Sequence, residues 1–344
     1  VNARVTRAQS INWLNENTLS YQTYFKKKHS FNALVGMTLQ GNDSETYSFY
    51  THHIPNESLG MAGMYEGTSG ATNSGQASWA LLSYLARVNY NFNSKYYATA
   101  SFRADGSSKF NKKNRYGYFP SASLAWNFSE EKRIKSLQFI SNGKLRLSWG
   151  LTGNNRVGEY DMYSLLAVRK AAATNLTSGV YPFDNDFSTA GMVPVTVGNW
   201  DLKWETTEQW NLGLDLGAFG NRINLTTDIY RKTTRDLLLD ATLPYSSGFA
   251  NARKNIGKVR NEGIELTLNT VNIKTRKFTW STDFNIAFNR NEVLELAENQ
   301  ESLMSIAQFD GTYNNNPNYI ARVGYPMGLM YGYIFDGTYK YEDF

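Results

Sequence analysis

Residues 205–236, ETTEQWNLGLDLGAFGNRINLTTDIYRKTTRD, leave few folds open. Trp210, Leu212, Leu214 and Leu216 alternate with Asn211, Gly213 and Asp215. Past a small turn at 218–221, Ile223, Leu225, Thr227 and Ile229 alternate with Asn224, Thr226 and Asp228. Successive side chains of a strand point to opposite faces, so a period of two on both sides of a Gly-Asn turn predicts a β-hairpin. One face carries Trp, Leu and Ile without a charge, and the other carries carboxylates and amides. A hairpin of this kind suits a wall between hydrocarbon and water.

The same parity recurs along the chain. Leu19, Tyr21, Thr23 and Phe25 lead into a Lys26-Lys27-Lys28 turn, and Phe31, Ala33, Val35, Met37 and Leu39 return from it. Tyr84 to Phe92 and Tyr96 to Phe102 flank Asn93-Ser94. Tyr118, Ala122, Leu124, Trp126 and Phe128 form a further strand, with Pro120 predicting a bulge or a strand end because proline has no N–H for the ladder. Leu145 to Leu151, Ile264 to Leu268 and Phe278 to Phe288 continue the series. Short connections at 26–30, 93–94, 129–143, 218–221 and 270–276 alternate with long ones at 40–78, 105–115, 152–204, 233–261 and 291–325. Short turns on one rim and long loops on the other predict an all-β, transmembrane, antiparallel up-and-down barrel.

Charge placement agrees. Arg87, Arg103, Arg146, Asp215, Asp228, Glu265 and Asp283 fall on the non-apolar parity, which turns them into the lumen. A basic residue facing lipid at mid-depth costs about 2–4 kcal/mol, so the other register is strongly disfavoured. Glu208, Arg231 and Arg290 break the parity, each toward the long-loop end of its strand. A soluble antiparallel sheet alternates too, but its strands average about 5–6 residues, and several here run to the ~9–11 that cross hydrocarbon when tilted. Aromatic residues make up 15% of the chain and gather near the strand ends, as interfacial girdles do.

Other chemistries find little support. The chain has no Cys, so disulfides and thiolate metal sites are excluded. A net charge of +5, dispersed along the chain, does not argue for nucleic acid. His29, beside the lysine turn, reads as solvated, and the adjacent His52 and His53 cannot aim both rings at one metal from a strand. Asp184-Asn185-Asp186 lacks the glycine and distal glutamate of a calcium loop, and the glycine-rich stretches lack the ending of a phosphate loop. No cofactor, metal or catalytic residue is expected. The loop aromatics Tyr65, Tyr160, Tyr163, Tyr181, Phe183 and Tyr313 are the candidate ligand contacts, since flat rings among amides and carboxylates suit sugar faces and peptide backbones. Their alternative role is to pack the loops on one another. Trp200 and Trp204 read as anchors where a strand begins.

Several stretches resemble the SusC/RagA branch of TonB-dependent outer-membrane transporters: FRADGSSKF at 102–110, YGYFPSASLAWNFSEE at 116–131, LRLSWGLTGNN at 145–155, NWDLKWETTEQWNLGLDLG at 199–217, DIYRKTTRDLLL at 228–239 and GKVRNEGIELTLN at 257–269. They occur in the family's order across most of residues 80–290. The resemblance implies a barrel of about 22 strands around a plug. It also implies uptake of a bulky oligosaccharide or peptide, a SusD-like surface lipoprotein as lid, and energy from a TonB complex acting on the plug. About ten or eleven strands are legible here, near half of such a barrel. Residues 1–344 are therefore read as an internal barrel portion, with the plug and the closing strands outside this sequence. The sequence begins at Val1 without the basic and apolar regions of a signal peptide, which says little of a mature or internal piece. A passive porin, an outer-membrane hydrolase and a soluble glycan-binding sheet are the rival readings.

Overall fold

The computed structural model describes residues 1–168, 192–297, 300–305 and 317–338. Its main body is one ten-stranded antiparallel sheet in meander order. The strands are β1 (Ala3–Phe25), β2 (His29–His52), β3 (Thr68–Phe92), β4 (Tyr96–Ser107), β5 (Tyr116–Asn127) and β6 (Ile140–Asn154). Two small strands, β7 (Leu166–Val168) and β8 (Met192–Pro194), pair with each other in the following loop. The wall resumes with β9 (Glu205–Ala218) and β10 (Ile223–Arg235). A loop hairpin of β11 (Leu238–Thr242) and β12 (Asn251–Asn255) intervenes before β13 (Lys258–Lys274) and β14 (Thr279–Glu295). β15 (Ser302–Ser305), β16 (Tyr319–Arg322) and β17 (Leu329–Met330) form a separate three-stranded sheet. No described helix is long and apolar enough to cross a membrane.

The opening hairpin folds as its pattern predicts. Leu212 faces Ile229, Leu214 faces Thr227 and Leu216 faces Leu225, while Phe219, Gly220 and Asn221 all take positive φ in the turn. Apolar rows then run across the whole wall. One passes from Leu124 through Leu147, Leu212, Ile229 and Ile264 to Phe288. Most of these side chains are exposed, and they form an apolar face rather than a core.

Several expectations need correction. Residues 40–78 are not one long loop: β2 runs on to His52 and β3 begins at Thr68, leaving only a short connection with a 3-10 helix, Glu57–Glu66. Likewise the first strand begins at Ala3, well before Leu19. In both places charged and small polar residues fall on both faces and leave Ile11, Trp13, Tyr47 and Phe49 too scattered to carry a hydrophobic period, while the backbone ladder continues. At about 3.3 Å per residue β2 is close to 80 Å long, far more than a bilayer crossing needs. The outer parts of β1–β3 therefore stand clear of the apolar band as a polar palisade.

Pro120 marks neither a bulge nor a strand end. The register with β4 passes straight through it at Phe102–Pro120, and it is the ladder from β5 to β6 that stops one residue away, at Ser121–Gly150. A missing N–H is tolerated where the pairing on one side has ended, although β6 itself runs on to Asn154 beside β9. His29 is half-buried rather than free in solvent. Its ring stacks on Phe25 at 4.6 Å, lies 4.9 Å from Phe92, and its Nδ1 is 2.7 Å from the Tyr90 hydroxyl. Register across three strands assembles this cluster at the short-turn rim, and no local spacing reports it.

The short connection between β5 and β6 contains one helical turn, α1 (Lys132–Lys135). Just before it, Glu131 accepts hydrogen bonds from Lys95 Nζ and the Tyr96 hydroxyl, both at 2.9 Å. These two donors, Lys95 first, hold the Glu131 carboxyl below the usual carboxylate range. The clamp ties neighbouring short turns together.

Candidate functional site

Register carries the seven singled-out charges to one face of the wall, opposite the apolar rows. Arg87 pairs with Ser101, Arg146 with Gly213, Gly213 with Asp228, Asp228 with Glu265 and Asn269 with Asp283. Two ion clusters form on this face. Arg103 Nε donates to both oxygens of Asp105, at 2.7 and 2.8 Å, and its Nη2 reaches the buried Ser83 hydroxyl at 3.2 Å. Arg146 binds Asp215 with two bonds of 2.8 and 3.1 Å and spends a further N–H on Asp228 at 3.1 Å. Arg87, Glu265 and Asp283 join no ion pair among the described residues.

The second cluster depends on a glycine. Arg146 and Asp228 lie on β6 and β10, with β9 between them. A Cβ on Gly213 would stand 2.6 Å from Arg146 Nη2 and 2.6 Å from Asp228 Oδ1. Only a residue without a side chain lets the guanidinium cross the strand. The device repeats nearby: Tyr230 passes over Gly263 to accept a 2.9 Å bond from Asn289 Nδ2. The Asp228 Oδ1 atom is buried with no partner among the described residues. A single arginine thus serves two carboxylates, with Glu265 directly beside Asp228 in register.

At the long-loop rim the chain builds its one sizeable hydrophobic core among the described residues. Phe110, Phe119, Val157, Met162, Leu202, Trp204 and Leu238 are buried together, drawn from four separate connections and strand ends. Trp204 is the centre. Its ring lies 5.5 Å from both Phe110 and Phe119, and its Nε1 donates to the Arg115 carbonyl at 2.9 Å. A buried indole needs such an acceptor. Asn255 braces the same segment, accepting from Lys203 N–H at 2.8 Å and donating to the Lys203 carbonyl at 2.7 Å.

Two features rest on this core. Arg253 lies between Asp161 and Asp240, at 3.7 and 3.3 Å, and its Nη1 donates to the Leu238 carbonyl. Beside it opens a polar cavity of about 510 Å³, bordered by Asn199, Asp201, Lys203, Lys254 and Asn255. None of these five stood out in the sequence. Isolated amides and lysines carry no pattern, and only the folding of the β11–β12 hairpin against residues 199–203 gathers them.

The candidate aromatics divide. Tyr163 meets Trp200 edge-on at 5.2 Å, so Trp200 joins the exposed loop surface and does not anchor a strand as Trp204 does. Tyr160 lies in the same segment, and its hydroxyl accepts from Ser78 N–H at 3.3 Å. Tyr65 sits apart on the 3-10 helix between β2 and β3, 82% exposed. Tyr181, Phe183 and Tyr313, and the Asp184-Asn185-Asp186 stretch, lie outside the described residues. Among the described residues no group of His, Asp and Glu has the geometry of a metal site.

Comparison with known proteins agrees with this geometry. The profile of a family described as TonB dependent receptor-like, beta-barrel, matches residues 2–343. The chain is 37% identical over 334 residues to TonB-dependent receptor P39 of Formosa agariphila, covering 96% of this chain and 29% of that receptor. It is 36% identical over 256 residues to TonB-dependent receptor SusC of Bacteroides thetaiotaomicron, covering 74% of this chain and 25% of SusC. Among solved structures, the RagAB peptide transporter superposes with a TM-score of 0.81 at 27% identity, over 95% of this chain and 34% of that one. The chain thus spans about a third or less of the length of the relatives it matches.

Proposed function

From the premise that this chain belongs to the TonB-dependent receptor-like β-barrel family of the outer membrane, we propose that it forms part of the wall of an active importer for a bulky nutrient, an oligosaccharide or a peptide. In this reading the ionic face lines the lumen and the apolar face meets lipid. Residues 1–344 supply barrel wall and loops, and the plug and the remaining strands belong to the rest of the protein. Energy comes from a TonB complex pulling on that plug, and a SusD-like surface lipoprotein closes over the loops. The chain makes and breaks no covalent bond of the solute.

One observation carries the reading: the same sheet presents uninterrupted apolar rows on one side and strand-crossing ion clusters on the other. A face with three carboxylates around one arginine needs water or a polar filling, whereas the opposite face needs hydrocarbon. The loop platform then provides the solute contacts. Tyr160 and Tyr163, joined by Trp200, offer rings for apolar contact, and the cavity beside Asn199 and Lys254 offers directed hydrogen bonds. Tyr65, Tyr181, Phe183 and Tyr313 extend that aromatic set in the proposal. Arg87, Arg103, Arg146, Asp215, Asp228, Glu265 and Asp283 line the solute path or hold the plug.

The test is uptake in cells carrying the whole gene. Labelled oligosaccharide and peptide mixtures are offered with and without a proton uncoupler. Uncoupler-sensitive accumulation that falls at least tenfold in a Tyr163→Ala, Trp200→Ala double variant, with surface amounts unchanged, is the expected result. Uptake that ignores the uncoupler transfers the chain to a passive channel.

A further inference from the structure

On the apolar face, where the long-loop rim begins, a groove of about 680 Å³ runs over Leu212, Ile229 and Ile264. Trp210 and Phe288 wall it, and Arg231, Glu262 and Arg290 stand at its mouth. The register explains the layout. Leu212, Ile229, Ile264 and Phe288 form one cross-strand row, and Trp210, Arg231, Glu262 and Arg290 form the next row up on the same face. Strands are about 4.8 Å apart, so the two arginines flank Glu262 within reach of one small anion.

The ions at the mouth are not balanced. Arg260 and Glu292 neutralise each other with a 2.6 Å bond. Glu262 is only loosely held, 3.8 Å from Arg231 and 3.7 Å from Arg260, both beyond hydrogen-bond range. Arg290 makes no ion pair among the described residues. Two guanidiniums with free donors thus face one carboxylate, directly above an apolar slot. That combination is complementary to an amphiphile with a net negative head. Guanidinium forks match phosphate oxygens in pairs, and the slot matches an acyl chain.

We propose that this groove is a specific site for an anionic, phosphate-bearing lipid of the bilayer. Its acyl chain lies along Leu212, Ile229 and Ile264, and its phosphate lies between Arg231 and Arg290. The proposal rests on the reading that the apolar face meets lipid, and extends it from a general solvent to one bound molecule. It also accounts for the parity break at Arg231 and Arg290. Arginines on a lipid face are tolerated at the interface, and a phosphate partner offsets what cost remains there.

The full-length protein in neutral detergent is titrated with phosphatidylglycerol, phosphatidylcholine or inorganic phosphate and followed by native mass spectrometry. A one-to-one phosphatidylglycerol adduct at concentrations at least tenfold below phosphatidylcholine is expected, with none from inorganic phosphate. Arg231→Gln with Arg290→Gln should bring phosphatidylglycerol to the phosphatidylcholine level. Ile264→Trp, which fills the slot and leaves both guanidiniums, should weaken the adduct similarly. Equal retention of the two lipids, insensitivity to both changes, or inorganic phosphate binding as tightly as the lipid would overturn the site. So would a second protein chain held in the groove, seen as a dimer lost on Ile264→Trp. Quenching of Trp210 by brominated phosphatidylcholine separates the two claims. Without quenching the lipid-facing reading has failed, and with quenching but no headgroup preference only the site has.

Discussion

Arg146 on β6 and Asp228 on β10 are joined by a 3.1 Å hydrogen bond although β9 lies between them, because Gly213 leaves the crossing open. An ion pair normally links neighbouring strands. Here one arginine staples three strands, with Asp215 of the intervening strand gripped by the same guanidinium. The side chains concerned are only partly buried, so the staple adds modestly to stability and chiefly holds register.

Gly213→Ala is the sharp test of that arrangement. The new methyl meets the guanidinium and the Asp228 carboxylate at distances no Cβ occupies, so Arg146 must withdraw from one of its partners. Loss of a charge-assisted bond costs about 1.5–3 kcal/mol, while alanine in a strand recovers about 0.5–1. A net loss near 1 kcal/mol in the chemical unfolding of the full-length protein in micelles is expected. In Asp228→Asn the same glycine change should cost clearly less, a coupling that a double-mutant cycle reads directly.

The Glu131 clamp at the short-turn rim predicts a pH dependence with a definite sign. Its folded-state pKa is depressed, first by Lys95 and then by Tyr96. Its stabilisation is therefore complete above the unfolded carboxylate value of about 4.3 and fades as pH falls through the lower folded value. Unfolding midpoints measured from pH 7 down to pH 3 should converge for the native protein and Glu131→Gln at the acid end. A gap that stays constant over this range would remove Glu131 from the acid response.

Trp204 holds the loop platform against the rim of the wall, where Phe119 of β5 enters the same core. Trp204→Ala removes a buried ring and leaves the Arg115 carbonyl without its indole donor, a change worth about 3–5 kcal/mol to whatever unit depends on it. Brief trypsin treatment should then cut at Lys109, which Glu159 and the Val157 carbonyl hold in the native loops, and faster than in the native protein at the exposed Lys112, Lys113 and Arg156. The transmembrane portions of the wall should remain intact on the same gel. Cleavage inside β4 or β9 would mean that the wall strands depend on this core for their stability.

The two aromatic rims should be separable by depth. Trp149 and Trp210 donate to Glu208 at 3.0 and 3.3 Å at the long-loop end of the apolar face, whereas Trp126 and Trp280 lie toward the short turns. Single-tryptophan variants in bilayers with lipids brominated near the headgroup or mid-chain should all be quenched better by the shallow label. An impermeant aqueous quencher added on one side should reach one pair only. Mid-chain quenching of Trp149 would move the apolar band outward along the strands.

The alternation of Trp, Leu and Ile with Asn, Gly and Asp determined strand, pairing partner and face for much of the wall, because side-chain direction in a strand is a property of the backbone alone. Its reach ended where both faces turn polar, which is why the outer halves of β1–β3 were invisible while their ladders are continuous. The parity of Arg146, Asp215 and Asp228 was legible in the same way, but their union was not: it depends on the register of three strands and on the empty position at Gly213. The core around Trp204, the ring contacts of His29 and the cavity between Asn199 and Lys254 were likewise settled only in three dimensions. None of the three carries a periodic signal: the register of three strands assembles the His29 cluster at the short-turn rim, and only the closing of long loops against one another brings the residues of the other two into contact.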